Sequence, residues 1–273
     1  MKNFAKGCFD HYLFLKDLRI LILAIPVVVC GCTTTQKDTK SKVLPDPSFP
    51  KILSDAFEAH GGLEKWQSSR TLSYDLVLDS GLENQTIDLQ SRKVRIINEK
   101  FEIGFDGQEV WLIPDSSAFK GNARFYHNLR FYFVALPYLA ADPGINYKTL
   151  EPATLQGKTY ERLLITFNDG VGDSPGDQYI LYFNDKKVLE LINYSVTYFD
   201  RSRAEQFNAI KYEDWISVNG LLLPQTLIGY KWEADTLGEE RYRRSFTNFS
   251  LSNTVMPDSL YAKPNGAYIS PAL

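Results

Sequence analysis

The chain has 273 residues, of which 44% are hydrophobic, 23% charged and 14% aromatic, with a formal charge of −3. So much apolar content with so little net charge excludes a disordered chain, and mild acidity without a strong basic run speaks against nucleic acid as a partner. Three cysteines are too few for a disulfide scaffold, while the length suffices to bury a sizeable core.

The N-terminus comes first. Lys2, Lys6, Lys16 and Arg19, set against Asp10 and Asp17, precede the apolar run Ile20–Val29. That run is about half of the ~20 residues a membrane-spanning helix needs, so it reads as a secretory signal. Val29-Cys30-Gly31-Cys32 resembles a bacterial lipobox, in which an aliphatic residue and a small residue lead to the cysteine that receives lipid. Cys30 departs from the usual Ala or Ser of that motif. The reading predicts a signal peptide over 1–31, cleavage before Cys32 and a palmitate-containing anchor on Cys32. Its competitors are an unlipidated cleaved signal and a short buried helix. Cleavage removes four basic and two acidic residues, takes the charge to −5 and leaves no cysteine but Cys32. Thiol catalysis and thiolate metal sites then drop out.

Thr33–Lys42 is polar, and Val43–Pro50 contains three prolines. Residues 32–50 therefore read as the lipidated cysteine and a tether, solvated at first and then semi-extended. Thr33 stands where enteric bacteria place the Asp that retains lipoproteins at the inner membrane. An outer-membrane lipoprotein is expected, on the periplasmic face rather than the cell surface. Gln36-Lys37-Asp38 has only a weak likeness to surface-export signals, and a plain linker is favoured.

Next, Ile52, Leu53, Ala56 and Phe57 form one helical face, and His60-Gly61-Gly62 ends it. After Arg70 the apolar period changes to two, with Leu72, Tyr74, Leu76 and Leu78 alternating with polar residues. Strand-like runs follow at about 85–97, 100–105, 109–113, 146–154, 159–168, 177–184, 188–199, 207–217, 221–233 and 239–251. Asp106-Gly107, Asn184-Asp185 and Asn219-Gly220 are hairpin signals. One helical interruption, Asn122–Leu136, places Phe125, Leu129, Tyr132, Phe133 and Leu136 on one face before Pro137 breaks it. The expected fold is mainly β (α+β): one domain over 51–273, an antiparallel sheet long enough to curl, with an N-terminal and a central helix covering one face. Several strands, such as Tyr179–Phe183, are apolar on both faces. That fits either a sheet covered on both sides or a concave face lining a cavity.

Ala59-His60-Gly61-Gly62 with Trp66 resembles the opening of a family of Bacteroidetes lipoproteins, the DUF6503 type. Phe105–Trp111, Phe131–Gly144, Gly172–Phe183 and Tyr212–Pro224 resemble its later segments in the same order. The resemblance spans most of residues 52–226. It implies a half-barrel similar to the LolA/LolB-like lipoprotein carriers, which hold acyl chains in an apolar groove. The family has no established activity, so the resemblance implies no catalytic residue.

Reactive constellations are weak. Gly172-Asp173-Ser174-Pro175-Gly176 matches G-x-S-x-G, but a strand follows it instead of a helix, and Pro175 lacks the N–H an oxyanion hole needs. Asp169, Asp173 and Asp177 lack the bidentate Glu of a calcium loop and read as a solvated turn. His60 and His127 form no zinc motif; His60 fits a helix cap, and His127 falls on the polar side of its helix. No phosphate loop is present, and Glu239–Arg244 mixes signs as a solvated strand does. No catalytic residue, metal or cofactor is expected.

The remaining candidate is a surface. Trp111, Phe125, Leu129, Tyr132, Phe133, Leu136 and Tyr138 either line a groove for a lipid or acyl chain or are simply core. His60, Gly61, Gly62 and Trp66 are either a structural cap or a ligand contact. The expected function is non-catalytic binding of an apolar ligand by an envelope lipoprotein. The alternative is a membrane-anchored structural module whose sheet rim binds an envelope protein. Replacing Cys32→Ser should abolish incorporation of labelled palmitate and leave the signal uncleaved, read by mass spectrometry of the membrane fraction.

Overall fold

The computed structural model describes residues 48–272. The signal, Cys32 and the tether through residue 47 lie outside the described residues.

Helix α1 (Lys51–Ala59) buries Ile52, Leu53, Ala56 and Phe57, the face that the apolar spacing predicts. It stops at His60 because Gly61 and Gly62 follow with φ of +106° and +103°, where a side chain is strained. Gly61 has a second constraint. A Cβ there would sit 2.0 Å from the Gly220 carbonyl oxygen, so the turn must be bare for the two backbones to approach. Helix α2 (Leu63–Ser68) is one short turn that buries Trp66.

Among the described residues, thirteen strands make one antiparallel sheet, curved and not closed. The first meander is β1 (Thr71–Leu78), β2 (Gly81–Asp88), β3 (Val94–Ile97), β4 (Glu102–Phe105) and β5 (Val110–Ile113). The second is β6 (Ile145–Leu155), β7 (Lys158–Phe167), β8 (Tyr179–Phe183), β9 (Leu189–Tyr194), β10 (Asn208–Val218), β11 (Leu221–Glu233) and β12 (Thr236–Ser252). Pairing of β1 with β12 joins the two meanders, and β13 (Tyr268–Ser270) adds to β5. Strands β6 and β13 are the free edges. The three hairpin signals each fall between paired strands, and Asn219 and Gly220 both take the positive φ that their tight turn requires.

Three sequence expectations change. The run at 85–97 is two strands. The Asp88 carboxylate accepts the Gln90 and Ser91 amides at 3.0 and 2.7 Å and turns the chain. Strand β13 carries too short a pattern to be read. The central helix is broken into α3 (Ala123–Tyr126) and α4 (Leu129–Val134). Asn122 caps α3 through the Phe125 amide at 2.9 Å. The break follows from His127, whose Nδ1 takes the Arg124 carbonyl that a continuous helix would give to the Asn128 amide.

Both helices lie on one face of the sheet, over the main core. The opposite face carries a smaller apolar cluster around Tyr160, Tyr182 and Leu191. Strands that are apolar on both faces are explained by these two clusters.

Gly61→Ala should destabilise the fold by about 2 kcal/mol or more, since it adds both φ strain and a backbone clash. The denaturant midpoint should fall while the unfolding slope stays unchanged.

Candidate functional site

Two polar anchors seat the central helices. The Tyr126 hydroxyl, at the end of α3, donates to Glu83 on β2 at 2.9 Å, and Gln85 Nε2 donates to the same carboxylate at 2.6 Å. Burial pushes the Glu83 carboxyl above its ordinary range. On α4, the Phe133 carbonyl accepts the Tyr212 hydroxyl of β10 at 3.0 Å.

So short a pair of helices does not fill the space above β6–β8. A cavity of about 370 Å³ remains. Phe125, Leu129 and Phe133 form its helical wall, with Ile145, Phe167 and Tyr179 on the sheet side. The Tyr132 ring closes the gap between them, 5.1 Å from the Tyr179 ring and 6.4 Å from Phe167.

Four of the seven proposed wall residues, Phe125, Leu129, Tyr132 and Phe133, therefore meet around one space. The other three do not. Trp111 points to the opposite face of the sheet, because Val110 and Leu112 take the helix side and strand residues alternate. Its indole donates to the Tyr261 carbonyl at 3.0 Å, and Gly104 opposite it leaves room for the ring. Leu136 is wholly buried core. Tyr138 stacks on Trp66 at 4.7 Å and is held by backbone carbonyls.

The cavity rim is charged, with two guanidinium–carboxylate pairs and a third carboxylate that is hydrogen-bonded instead of ion-paired. Arg92 contacts both Asp142 oxygens at 2.6 and 2.7 Å, and Arg124 pairs with Asp173 at 2.8 Å. Asp177 accepts the Thr197 amide and hydroxyl, each at 2.6 Å. Burial raises the Asp142 carboxyl against the opposing pull of Arg92. Sequence reasoning missed Arg92 and Asp142 as site residues. Nothing local in the sequence ties Asp142 to Arg92, fifty positions earlier.

Ser174 and His127 both line this cavity. His127 is 4% exposed, not on a polar face as expected, because the helix break turns its ring inward against Phe105. Its Nδ1 is held by the Arg124 carbonyl, and no hydrogen bond joins it to Ser174 among the described residues. The Ser174 carbonyl accepts the Asp177 amide at 3.0 Å, inside a loop that leads into strand β8. That geometry lacks the nucleophile–base contact that acyl transfer needs. Among the described residues no group of three or more His, Cys, Asp or Glu could hold a metal ion. No helix among them is long and apolar enough to cross a membrane.

His60 is fully buried. Its Nδ1 donates to the Ala56 carbonyl at 2.7 Å, and its Nε2 accepts the Leu189 amide at 3.4 Å. One nitrogen donates and the other accepts, so the ring is neutral. Gly61 and Gly62 complete the same turn, and none of these residues lines the cavity.

No family model matches the chain, and no curated protein matches it. Among solved structures it is similar to a LolA superfamily protein from Nitrosomonas europaea. The identity is 14% over 78% of this chain and 96% of that one, with a TM-score of 0.49. It is also similar to a DUF1329 family protein from Desulfovibrio piger, at 8% identity over 78% of this chain and 98% of that one, with a TM-score of 0.46.

Burial lowers both His60 and His127 from 6.5 to about 4. The unfolded chain takes up these protons near its ordinary value, while the folded chain resists until much lower pH. Stability should therefore be complete above the ordinary value and fall as pH drops below it, by up to about 1.4 kcal/mol per pH unit per histidine. Urea unfolding across that window should show this slope, and His127→Gln should reduce it by about half.

Proposed function

We propose that the protein is an envelope lipoprotein that binds an apolar ligand, a lipid or acyl chain, without chemistry. The observation that carries this reading is the aromatic-lined cavity between α3, α4 and the sheet. Its volume of about 370 Å³ falls at the lower end of the ~300–1,000 Å³ of small-molecule sites. Each methylene buried there contributes about 0.8 kcal/mol before ordering costs, so a short run of chain suffices for firm binding. Support for the envelope comes from the signal-like run and the lipobox-like Val29–Cys32, which would tie the body to the outer membrane through Cys32. The segments resembling the DUF6503-type lipoproteins agree with this assignment. Absence of a nucleophile–base contact in the cavity supports binding over hydrolysis.

The test is an organic extract of the full-length protein purified gently from its native membrane and read by mass spectrometry. The expected result is one lipid species near stoichiometric amount. It should be lost on Leu129→Gln, which makes the wall polar at a partly exposed position and should leave the thermal midpoint within a few degrees. A clean extract, or equal lipid in the variant, overturns the reading. A protein partner co-purifying in place of lipid would point to the anchored interaction module.

A further inference from the structure

A second cavity, of about 580 Å³, lies beside the first. Its walls include Leu63, Leu89, Ala141 and the stacked rings of Trp66 and Tyr138. Arg92, Asp142 and Val171 line both cavities. Gln67 and Gln90 also line the second cavity, so its walls are mixed, and the boundary between it and the more apolar first cavity is an ion pair.

Both partners are held in place by their own backbones. Arg92 sits in the turn between β2 and β3 at φ +60°, where a non-glycine residue is uncommon. The Asp88 side chain and carbonyl fix that turn, the carbonyl accepting the Arg92 amide at 2.9 Å. Asp142 ends the 3-10 turn Tyr138–Ala141, and its amide donates to the Leu139 carbonyl at 3.1 Å. The Arg92 guanidinium also lies 5.4 Å from the centre of the Phe131 ring, which lines the first cavity. Neither side chain is deeply buried, at 29% and 40% exposure, and ion pairs with this much exposure hold weakly. The pair is a poor stabiliser but a well-placed barrier.

We propose that the Arg92–Asp142 ion pair partitions one longer groove and so sets the length of alkyl chain the protein accepts. The inference rests on the proposed function of the first cavity. With the pair closed, a chain fills the first cavity, and further methylenes meet charge and water. With the pair removed, added methylenes enter the space beside Trp66 and Tyr138.

The test is displacement of a naphthylamine fluorophore from the full-length chain by octanol, decanol, dodecanol and tetradecanol. Neutral alcohols are chosen because both guanidinium groups at the rim are already paired. In the wild type, affinity should rise with length and then level off. In Arg92→Ala the levelling should move to longer alcohols, with affinity rising about fourfold per added methylene past the wild-type limit. Asp142→Asn, which keeps the side-chain shape, should move it in the same direction and guards against a folding defect in the first variant. An unchanged limit in both variants overturns the partition and leaves the cavity reading intact. No displacement by any alcohol in the wild type overturns the cavity reading and the partition with it.

Discussion

One buried residue joins the pieces on which the cavity rests. The His60 carbonyl accepts both the Leu222 amide of β11, at 2.8 Å, and the Tyr138 hydroxyl, at 2.5 Å. Its imidazole bonds α1 at Ala56 and β9 at Leu189, and stands edge-on to Trp215 at 4.9 Å. The N-terminal helix, the segment after α4 and two strands of the second meander thus meet at a single turn. The condition for this meeting is steric. Gly61 must be bare so that the turn can lie against Gly220. The condition is also electrostatic, because a protonated His60 could not accept the Leu189 amide, and the buried cation would keep only the Ala56 carbonyl as its partner.

Given that join, the cavity follows from a mismatch of lengths. Strands β6 and β7 run for 11 and 10 residues, whereas α3 and α4 have four and six. A continuous helix over 122–136 would cover more of the concave face. The His127 ring interrupts it by occupying the Arg124 carbonyl, and the chain bends between the two helices. The polar anchors at Glu83 and Tyr212 then fix the shortened helices over the sheet. A close-packed interior normally leaves few voids larger than water. Here the void persists because the segments that could collapse into it are each tied elsewhere.

Much of the fold was legible because it depends on short-range patterns. Alternation marked β1, the glycine-bearing turns marked the hairpins, and Pro137 limited the central helical pattern. The cavity wall was half legible for a related reason. Phe125, Leu129, Tyr132 and Phe133 share a helical face, so spacing groups them. Trp111 was misplaced because a single aromatic in a four-residue strand does not say which face is inward. Its position is settled by the C-terminal segment, through Tyr261, 150 residues away. Leu136 falls into the core because α4 ends at Val134, and Tyr138, beyond Pro137, turns toward Trp66 and away from the first cavity. The Arg92–Asp142 pair was illegible altogether, since it joins two turns fifty positions apart.

Under the proposed binding role, the charges around the cavity bear on what it selects. Arg92 and Arg124 are the two lining cations, and each already holds a carboxylate. His127, lowered to about 4 by burial, is neutral at ordinary pH and adds no positive charge. Asp177 is satisfied by two short hydrogen bonds and has no cation in its own set of contacts. An anionic ligand group would therefore meet guanidinium groups that already hold a carboxylate, and would have to displace that carboxylate to be paired. Apolar length, in contrast, meets the rings and aliphatic side chains of the wall, Phe125, Leu129, Phe133, Ile145, Phe167 and Tyr179. Under the proposed binding role, selection falls on the shape and length of the apolar part of a ligand, and the charged rim is a boundary to it instead of a receptor for a headgroup.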